Sequence, residues 1–378
     1  MVPQSINRLG LYVHVPFCAQ KCSYCDFPSW GGQMSLRQPY VDKVAEEIAA
    51  RAAEVPRQTA DTVYLGGGTP SLLKPSQLTQ LLEALRAGYS IAPDAEITCE
   101  ANPGMVTEGF LAAAAAGGVN RLSLGAQASQ TDMLRLLGRQ HTWRQVEETV
   151  DLVASRGITN INVDLMFGLP GQTEDQWADT LRLALQLPVT HLSCYGLIPE
   201  EGTALQARLA SGVLSLPEVE AERRMYDLAR AMLAEHGFVQ YEISNFAKPG
   251  FHCRHNEGCW TRVPYLGFGC AAHSLVGRGE RRQNPMSLEG YLRGEAAQTQ
   301  ALTREEQMFE TMMLGLRMTR GVTLKAFEDT YGIPLGEVYG SRLAPSLTKG
   351  LAVLEDGYLR LTDRGMDLMN AVLLDLME

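Results

Sequence analysis

The sequence has no excess of positive charge, no long apolar run and no signal-like N-terminus. With 33 Lys and Arg against 43 Asp and Glu, its formal net charge is −10, which argues against a nucleic-acid-binding surface spread over the protein. No stretch reaches the roughly 18 consecutive apolar residues of a membrane-spanning helix. The first residues, MVPQSINRLGLYVHV, lack the basic segment and apolar run of a secretory signal. We therefore expect a cytoplasmic protein with no nucleic-acid partner and no transmembrane segment, which leaves peripheral membrane contact open.

Eight cysteines are present, and three of them lie within eight residues. Disulfides do not persist in a reducing compartment, so these cysteines are expected to be thiols or metal ligands. Cys18, Cys22 and Cys25 have the spacing Cys-x3-Cys-x2-Cys in CAQKCSYC, and three thiolates on one loop suit an iron–sulfur cluster. Because a cubane [4Fe–4S] cluster has four irons, three cysteines leave one iron open to another molecule.

Two other interpretations of these cysteines stay open. A structural zinc ion takes four closed ligands, and His14 or Cys253 is a candidate for the fourth. Alternatively, the three cysteines are small buried hydrophobic residues that bind nothing. The metal content of the protein separates these interpretations.

Short apolar runs alternate with helical stretches up to about residue 200. The predicted helices include 40–54, 76–88 and 142–157, and the predicted strands are LYVHV (11–15), TVYLG (62–66), EITCE (96–100), RLSLGAQ (121–127), INVDLMFG (161–168) and HLSCYGL (191–197). Repeated strand–helix units indicate an α/β fold with parallel strands. Six units are fewer than the eight of a closed barrel, so we predict an incomplete (β/α)6 parallel barrel. Ligands bind such folds at the carboxyl ends of the strands, where the sequence places GGGTPS (66–71), Glu100, Gln127 and Asp164.

The pattern changes beyond residue 200. A helix is predicted at 217–236, an edge or antiparallel strand in FVQYEISNFAKPG, and a loop in FHCRHNEGCWTRVPYLGFGCAAHS. Helices at 303–318, 323–332 and 341–350, an EDG hairpin and a last helix to 377 indicate a mainly α, winged-helix-like C-terminal domain. Residues 301–378 contain 8 Lys and Arg against 12 Asp and Glu, so we interpret this domain as a packing or lid domain and not a DNA-binding one. The predicted divisions are 1–240, a linking segment at 241–300, and 301–378.

The cysteine motif and its surroundings resemble the radical S-adenosylmethionine superfamily. CAQKCSYC, preceded by YVHVPF, is similar to that superfamily's cysteine signature, and GGGTPS is similar to its glycine-rich strand end. RLSLGAQ, GRQH and NVDLMFGLPGQT resemble, in order, motifs of the oxygen-independent coproporphyrinogen dehydrogenase branch, which the chain resembles over nearly its whole length. The resemblance implies a [4Fe–4S] cluster whose open iron binds S-adenosylmethionine, and an electron donor that reduces the cluster so that a 5′-deoxyadenosyl radical forms.

By matching position, the resemblance also implies the S-adenosylmethionine contacts. Carboxylates suit the ammonium and ribose hydroxyls, an arginine suits the carboxylate, and an aromatic side chain suits adenine or shields the cluster. The implied contacts are Tyr12, Tyr24, Gly67, Gly68, Thr69, Glu100, Gln127, Arg139 and Asp164.

Within that branch, the sequence resembles the HemW type of haem chaperone more than the decarboxylase. The decarboxylase has a further cysteine where this sequence has Phe27, and a longer N-terminal extension. The HemW type carries His-Asn-x-x-Tyr-Trp, and this chain has Cys259 in place of the tyrosine. The resemblance implies a protein that binds haem and delivers it to respiratory proteins; the alternative is a radical oxidoreductase acting on a tetrapyrrole. The haem-contact candidates are His255, Asn256, Cys259 and Trp260.

Overall fold

The predicted parallel strands form one continuous sheet in the computed structural model, which describes residues 8–55 and 58–377. Residues 1–7 of the predicted first domain lie outside the described residues. The strands are β1 (Arg8–Val15), β2 (Phe17–Cys18), β3 (Trp30–Gly31), β4 (Thr59–Gly67), β5 (Ser90–Ala101), β6 (Arg121–Gln127), β7 (Asn160–Phe167), β8 (His191–Gly196), β9 (Val239–Gln240), β10 (Asn245–Ala247), β11 (Tyr265–Phe268), β12 (His273–Val276), β13 (Glu280–Gln283), β14 (Gln298–Ala301), β15 (Val322–Thr323), β16 (Ala352–Glu355) and β17 (Tyr358–Leu361).

Helices connect the strands and cover the sheet. They are α1 (Arg37–Arg51), α2 (Pro75–Gly88), α3 (Glu108–Ala116), α4 (Thr131–Leu136), α5 (Trp143–Ser155), α6 (Glu174–Leu185), α7 (Ala204–Ala210), α8 (Val219–Glu235), α9 (Arg254–Trp260), α10 (Leu288–Arg293), α11 (Arg304–Gly315), α12 (Leu324–Tyr331), α13 (Leu335–Thr348), α14 (Asp363–Asp367) and α15 (Met369–Met377). Short 3-10 helices lie at Met34–Leu36, Ala52–Glu54 and Pro70–Leu72. No helix in the described part of the chain is both long and apolar enough to cross a membrane.

The six predicted strands pair in parallel in the order β1, β4, β5, β6, β7, β8, which confirms the incomplete (β/α)6 barrel. Every residue of β6 is buried, as expected of a central strand with a covered outer face and an occupied interior. Capping boxes fix where several connecting helices begin: Thr142 and Gln145 exchange bonds at the start of α5, as do Thr173 and Gln176 at α6.

Both edges of the parallel strands are extended. At one edge β10 and β9 add antiparallel strands beside β8, which confirms the predicted edge strand. At the other, β11 pairs in parallel with β1, through Gly10 and Tyr265, and β12 to β14 continue as an antiparallel meander. Residues 265–301 therefore belong to the main sheet, while the predicted division into domains stays a prediction.

The loop predicted in FHCRHNEGCWTRVPYLGFGCAAHS is wrong, because this segment contains α9 and β11. Helix α9 has seven residues and includes Gly258, so the segment shows no helical period long enough to detect. Its N-cap, Cys253, makes no side-chain capping bond. The groups that stabilise its first turn come instead from a distant strand, as described below.

The C-terminal residues have a hydrophobic core of their own. Helices α11 to α15 pack around buried residues that include Met312, Phe327 and Leu359. Strands β15, β17 and β16 form the wing, and the EDG turn is confirmed by positive φ angles at Asp356 (50°) and Gly357 (80°), the signature of a type I′ hairpin. The winged-helix-like, mainly α character predicted for this region is thus confirmed.

Candidate functional site

The cluster loop, residues 16–29, lies at the carboxyl end of β1. Cys18, Cys22 and Cys25 are free, half-buried thiols on this loop. The backbone N–H and hydroxyl of Ser23 donate to carbonyls at the end of α4 at 3.0 and 2.8 Å, and Lys21 donates to the Phe27 carbonyl at 2.8 Å. Burial raises the pKa of the Cys22 and Cys25 thiols, because a thiolate is costly away from water. A bound metal compensates the thiolate charge, so these side chains lose their protons when they bind metal.

In the described part of the chain, both candidates for the fourth ligand of a structural zinc are engaged by other groups. His14 Nε2 lies 2.8 Å from the Pro28 carbonyl oxygen, and His14 Nδ1 lies 2.9 Å from the Tyr12 hydroxyl. Cys253 is buried, with its thiol donating to Glu96 at 3.5 Å. No group of three or more His, Cys, Asp or Glu side chains in residues 8–55 and 58–377 is arranged to hold a single metal ion. A cubane offers a separate iron to each thiolate, so its ligands need not converge on one point.

The glycine-rich strand end packs against the start of the cluster loop. Gly68 N–H donates to the Val15 carbonyl and Thr69 N–H donates to the Phe17 carbonyl, both at 2.8 Å. Gly67 has a φ of +105°, and a β carbon there would lie 2.3 Å from the His14 ring. The Thr69 hydroxyl lies 3.7 Å from the Cys18 sulfur. These glycines therefore let the cluster loop approach β4 closely.

Glu100 lies at the end of β5, facing the same strand end. Its Oε1 accepts a hydrogen bond from the Tyr64 hydroxyl at 2.7 Å, and its Oε2 accepts one from the Gly67 N–H at 3.0 Å. Burial raises the pKa of this carboxyl to about 7, although both hydrogen bonds lower it. A bound cation beside Glu100 would favour its ionised form, which suits a site for the ammonium or hydroxyls of a ligand.

Glu100 should make the iron-free protein less stable as the pH rises from about 5 to 7. The unfolded carboxyl ionises near its ordinary pKa of 4.5, whereas the folded one keeps its proton until about 7, so the free energy of unfolding falls across that window. The full effect is at most about 3 kcal/mol. Urea unfolding at pH 5, 6, 7 and 8 should show this fall in the parent and a flatter profile in Glu100→Gln; identical slopes would contradict it.

Gln127 ends β6, and Arg139 lies close by: Gln127 Nε2 and Arg139 Nη2 lie 2.9 and 3.2 Å from the position that a β carbon on Gly125 would take. A bulge between Gly125 and Gln127 turns the chain, and Gln127 has a φ of 66° although it is not glycine. Arg139 Nη1 donates to Asn102 Oδ1 at 2.7 Å, and its Nη2 donates to the Tyr24 hydroxyl at 2.8 Å. The Arg139 Nε is buried with no partner among the described residues. A carboxylate is the group that would complete this guanidinium.

Asp164 and Tyr12 lie deeper inside the barrel than the other implied contacts. Asp164 precedes the end of β7 by three residues, and its carboxylate accepts bonds from Asn162 at 2.8 Å and Ser123 at 3.2 Å. The Tyr12 hydroxyl bonds to His14 at 2.9 Å. Both residues are therefore engaged by interior groups. Tyr24 lies on the cluster loop and bonds to Arg139, while the strand-end glycines, Glu100 and Gln127 lie at the carboxyl ends of their strands.

Helix α9 places the haem-contact candidates at the opposite end of the barrel from the cluster loop. His255 is 8% exposed, and its Nδ1 bonds to the Thr62 hydroxyl at 2.9 Å. Its ring stacks on Tyr64, with centroids 5.1 Å apart. Burial lowers the pKa of His255 to about 4, so the imidazole is neutral and chemically able to bind a metal.

The other three candidates are half-buried. Cys259 lines a small cavity that His255 also borders, and burial raises the pKa of its thiol to about 11. Trp260 packs under the Arg317 guanidinium, whose carbon lies 4.4 Å from the centre of the indole ring, and its indole N–H is buried without a partner in the described part of the chain. Asn256 lies on the same helix.

Sequence reasoning missed several polar residues that line the barrel interior. In each strand they alternate with outward-facing residues. They therefore lie on the same, inward face of the strand as the polar residues predicted at or near its carboxyl end. That alternation is the signal that could have identified them. The missed residues are Thr62 and Tyr64 in β4, Glu96 and Thr98 in β5, Arg121 and Ser123 in β6, Asn162 in β7, and His191 and Ser193 in β8.

The donor set at the cluster loop fits a cluster with S-adenosylmethionine. Three free thiols can bind three irons. Beside them are a buried carboxyl that suits a cation, at Glu100, and a guanidinium with an unpartnered N–H that suits a carboxylate, at Arg139. These are the groups that an amino acid ligand on the open iron would require.

A partial parallel barrel whose first strand leads into a three-cysteine loop defines a radical S-adenosylmethionine protein. The profile of the radical SAM superfamily matches residues 12–184, and that of the HemN C-terminal domain matches residues 302–368. The chain is 36% identical to "Heme chaperone HemW" of Bacillus subtilis, over 96% of this chain and 97% of that protein, and 32% identical to the Escherichia coli protein of that name, over 97% of each. The chain belongs to the HemW family.

A solved structure has the same fold over nearly the whole chain. It is coproporphyrinogen III oxidase (HemN) from Escherichia coli, with a TM-score of 0.85, 24% sequence identity, and coverage of 98% of this chain and 90% of that one. At this identity the likeness shows the fold alone.

Proposed function

We propose that this protein binds haem and passes it on as a haem chaperone, while carrying a [4Fe–4S] cluster with S-adenosylmethionine on the open iron. The observation that carries the proposal is the near full-length similarity, at 32 to 38% identity, to proteins named as haem chaperones in several bacteria. Delivery requires a haem-accepting protein, for which respiratory proteins are the expected class, and reduction of the cluster requires an electron donor. We propose the cytoplasm as its location.

The cluster end of the barrel positions and shields its ligands. When bound, the cluster and S-adenosylmethionine supply one-electron chemistry. Cys18, Cys22 and Cys25 hold the iron, while Arg139 and Glu100 orient the carboxylate and the ammonium or hydroxyls of the ligand. Tyr24 covers this end of the barrel, through its bond with Arg139, and helps to exclude water.

Two residues of α9 are able to bind haem iron. The His255 imidazole is neutral, and Cys259 offers a sulfur in place of the family tyrosine. Thiolate donates more electron density to haem iron than imidazole does. The position of the Soret band therefore reports which side chain is the ligand.

Titration of haem into the protein should produce a Soret band that depends on α9. We expect His255→Ala to weaken haem binding at least about tenfold, because one coordinate bond is lost, and to leave the cluster intact at the other end of the barrel. Cys259→Tyr restores the family motif and should keep or strengthen binding while removing any thiolate-type spectrum. If both variants bind haem like the parent, α9 serves only for packing.

The alternative is a radical oxidoreductase acting on a tetrapyrrole, as coproporphyrinogen III oxidase does. The match of residues 302–368 to the HemN C-terminal domain favours it. Against it, Phe27 stands in place of the further cysteine and is 60% exposed on the cluster loop. Anaerobic incubation with coproporphyrinogen III, S-adenosylmethionine and a reductant separates the two, since only the alternative yields protoporphyrinogen IX above the level of a Cys22→Ala control.

A further inference from the structure

His255 is enclosed in this arrangement of the chain. Thr62 bonds to one nitrogen of its ring, and Tyr64 stacks on its face. The cavity that it borders with Cys259 has a volume of about 10 Å³, which is room for about one water molecule. A haem macrocycle is far larger, so its iron reaches the imidazole only if α9 moves.

The N-terminal end of α9 is held by a buried carboxylate from a distant strand, and the Tyr241 hydroxyl accepts the Cys253 N–H at 3.3 Å. Glu96 is 5% exposed in β5. Its Oε2 accepts the Arg254 N–H at 3.0 Å, and its Oε1 accepts the His255 N–H at 3.1 Å and the Cys253 thiol at 3.5 Å. On the outer surface, the Arg254 guanidinium donates to the Asp94 carbonyl at 2.7 Å. Glu96 therefore acts as the missing helix cap.

The C-terminal end of α9 is fixed much more firmly. Arg262, two residues beyond the helix, is 1% exposed. Its guanidinium donates to the Gln307 carbonyl at 3.0 Å, the Tyr331 hydroxyl at 2.9 Å and the Arg278 carbonyl at 2.7 Å, and it pairs with Glu310 at 3.1 Å. Gln307 and Glu310 belong to α11, and Tyr331 belongs to α12. This end of α9 is therefore the pivot of any movement.

The chain before α9 is able to turn. Gly250 has a φ of +87°, and no atom lies within 4 Å of the position where its β carbon would be. Glycine permits large backbone changes at little cost, and hinges are usually a few loop residues of this kind. An opening movement would therefore occur between Gly250 and the fixed end at Arg262.

We infer that α9 is a plug at the N-terminal end of the barrel and that Glu96 is the latch which must release it before His255 binds haem iron. This inference rests on the proposed function. With Glu96 disengaged, the first turn of α9 swings outward about Arg262 and carries the imidazole away from Thr62 and Tyr64. The neutral ring then donates the lone pair of its free nitrogen to the iron, with no change in oxidation state.

Weakening the latch should therefore tighten haem binding. Glu96→Gln keeps the size of the side chain but replaces one acceptor with an NH2 group that faces a backbone N–H. A hydrogen bond to a neutral amide oxygen is weaker than one to a carboxylate, and apparent affinity rises with the fraction of open molecules. We expect the apparent Kd for ferric haem, from the Soret titration, to fall about tenfold. Thr62→Val should change it in the same direction, by a smaller factor.

Four further measurements accompany the titration. Glu46→Gln changes a carboxylate whose side chain is 69% exposed on α1 and should leave the Kd unchanged. The double variant Glu96→Gln, His255→Ala should lose the gain in affinity. Hydrogen exchange of the α9 amides should be faster in Glu96→Gln than in the parent, and haem should accelerate it in the parent. The signal of the reduced cluster should be the same in all variants.

The outcomes are distinct for the inference and for the function on which it rests. If no variant binds haem, the proposed function fails. If haem binds but Glu96→Gln binds it equally or more weakly, Glu96 holds α9 in its binding position and the plug is wrong. The same conclusion follows if haem leaves the α9 amides as protected as before, or if the gain persists without His255.

Discussion

Replacing Cys18, Cys22 or Cys25 with alanine should abolish the iron–sulfur cluster. Only three thiols lie on the cluster loop, and a cubane held by two cysteines has too few protein ligands to persist. In the anaerobically reconstituted parent we expect about four irons per chain, as a [4Fe–4S] cluster requires, and in each variant nearly none. Iron and sulfide analysis provides the measurement.

The same samples test whether one iron is open. Addition of S-adenosylmethionine to the reduced parent should change the electron paramagnetic resonance signal, because the ligand binds at the iron that lacks a cysteine. Cys270→Ala is a matched control, since Cys270 is a buried thiol outside the loop whose sulfur donates to the Pro285 carbonyl at 3.3 Å. An unchanged signal, or zinc as the sole metal, would contradict the assignment.

Gly67→Ala should cause a large loss of stability from a single added methyl group. The new β carbon would lie 2.3 Å from the His14 ring, and His14 in turn contacts the Pro28 carbonyl at the end of the cluster loop. Overpacking and backbone strain together should lower the free energy of unfolding by about 3 kcal/mol or more. We also expect the loop to lose its arrangement, with cluster occupancy falling severalfold.

Gly157→Ala separates strain from overpacking. Gly157 has a φ of +85°, yet no atom lies within 4 Å of its virtual β carbon. This variant should lose only about 1 kcal/mol, from the positive φ alone, and should keep its cluster. Urea unfolding and iron content of the two variants give the comparison; equal losses in both would show that the contact with His14 has no effect.

The parallel strands were predictable because each is a short, separate apolar run between helical stretches. β6 illustrates this, since RLSLGAQ is buried throughout and coincides with the predicted segment. The same reasoning failed at α9, whose seven residues contain a glycine and no local cap. Its first turn is stabilised by Glu96, 158 positions before Arg254 along the chain. No local pattern contains that information.

The candidate site, like the fold, was predictable from the sequence only in part. The spacing of Cys18, Cys22 and Cys25 is local and predicts a cluster loop directly. The S-adenosylmethionine contacts came from resemblance, and they stay a prediction. The structure adds that Glu100 and Gln127 lie at neighbouring strand ends and that Arg139, which follows α4, donates to Tyr24 on the cluster loop. Asp164 is engaged by Asn162 deeper in the barrel.

By itself, the sequence determined the alternation of strands and helices, the three-cysteine loop and the family, because each depends on residues close together in the chain or on motifs in order. Only the tertiary structure decided that the strand-end glycines receive the cluster loop and that His255 faces the barrel interior, away from the cluster. Side chains from separate strands create the surroundings of both. Whether a histidine is free or enclosed depends on the groups that pack around it, and for His255 these come from β4 and β5.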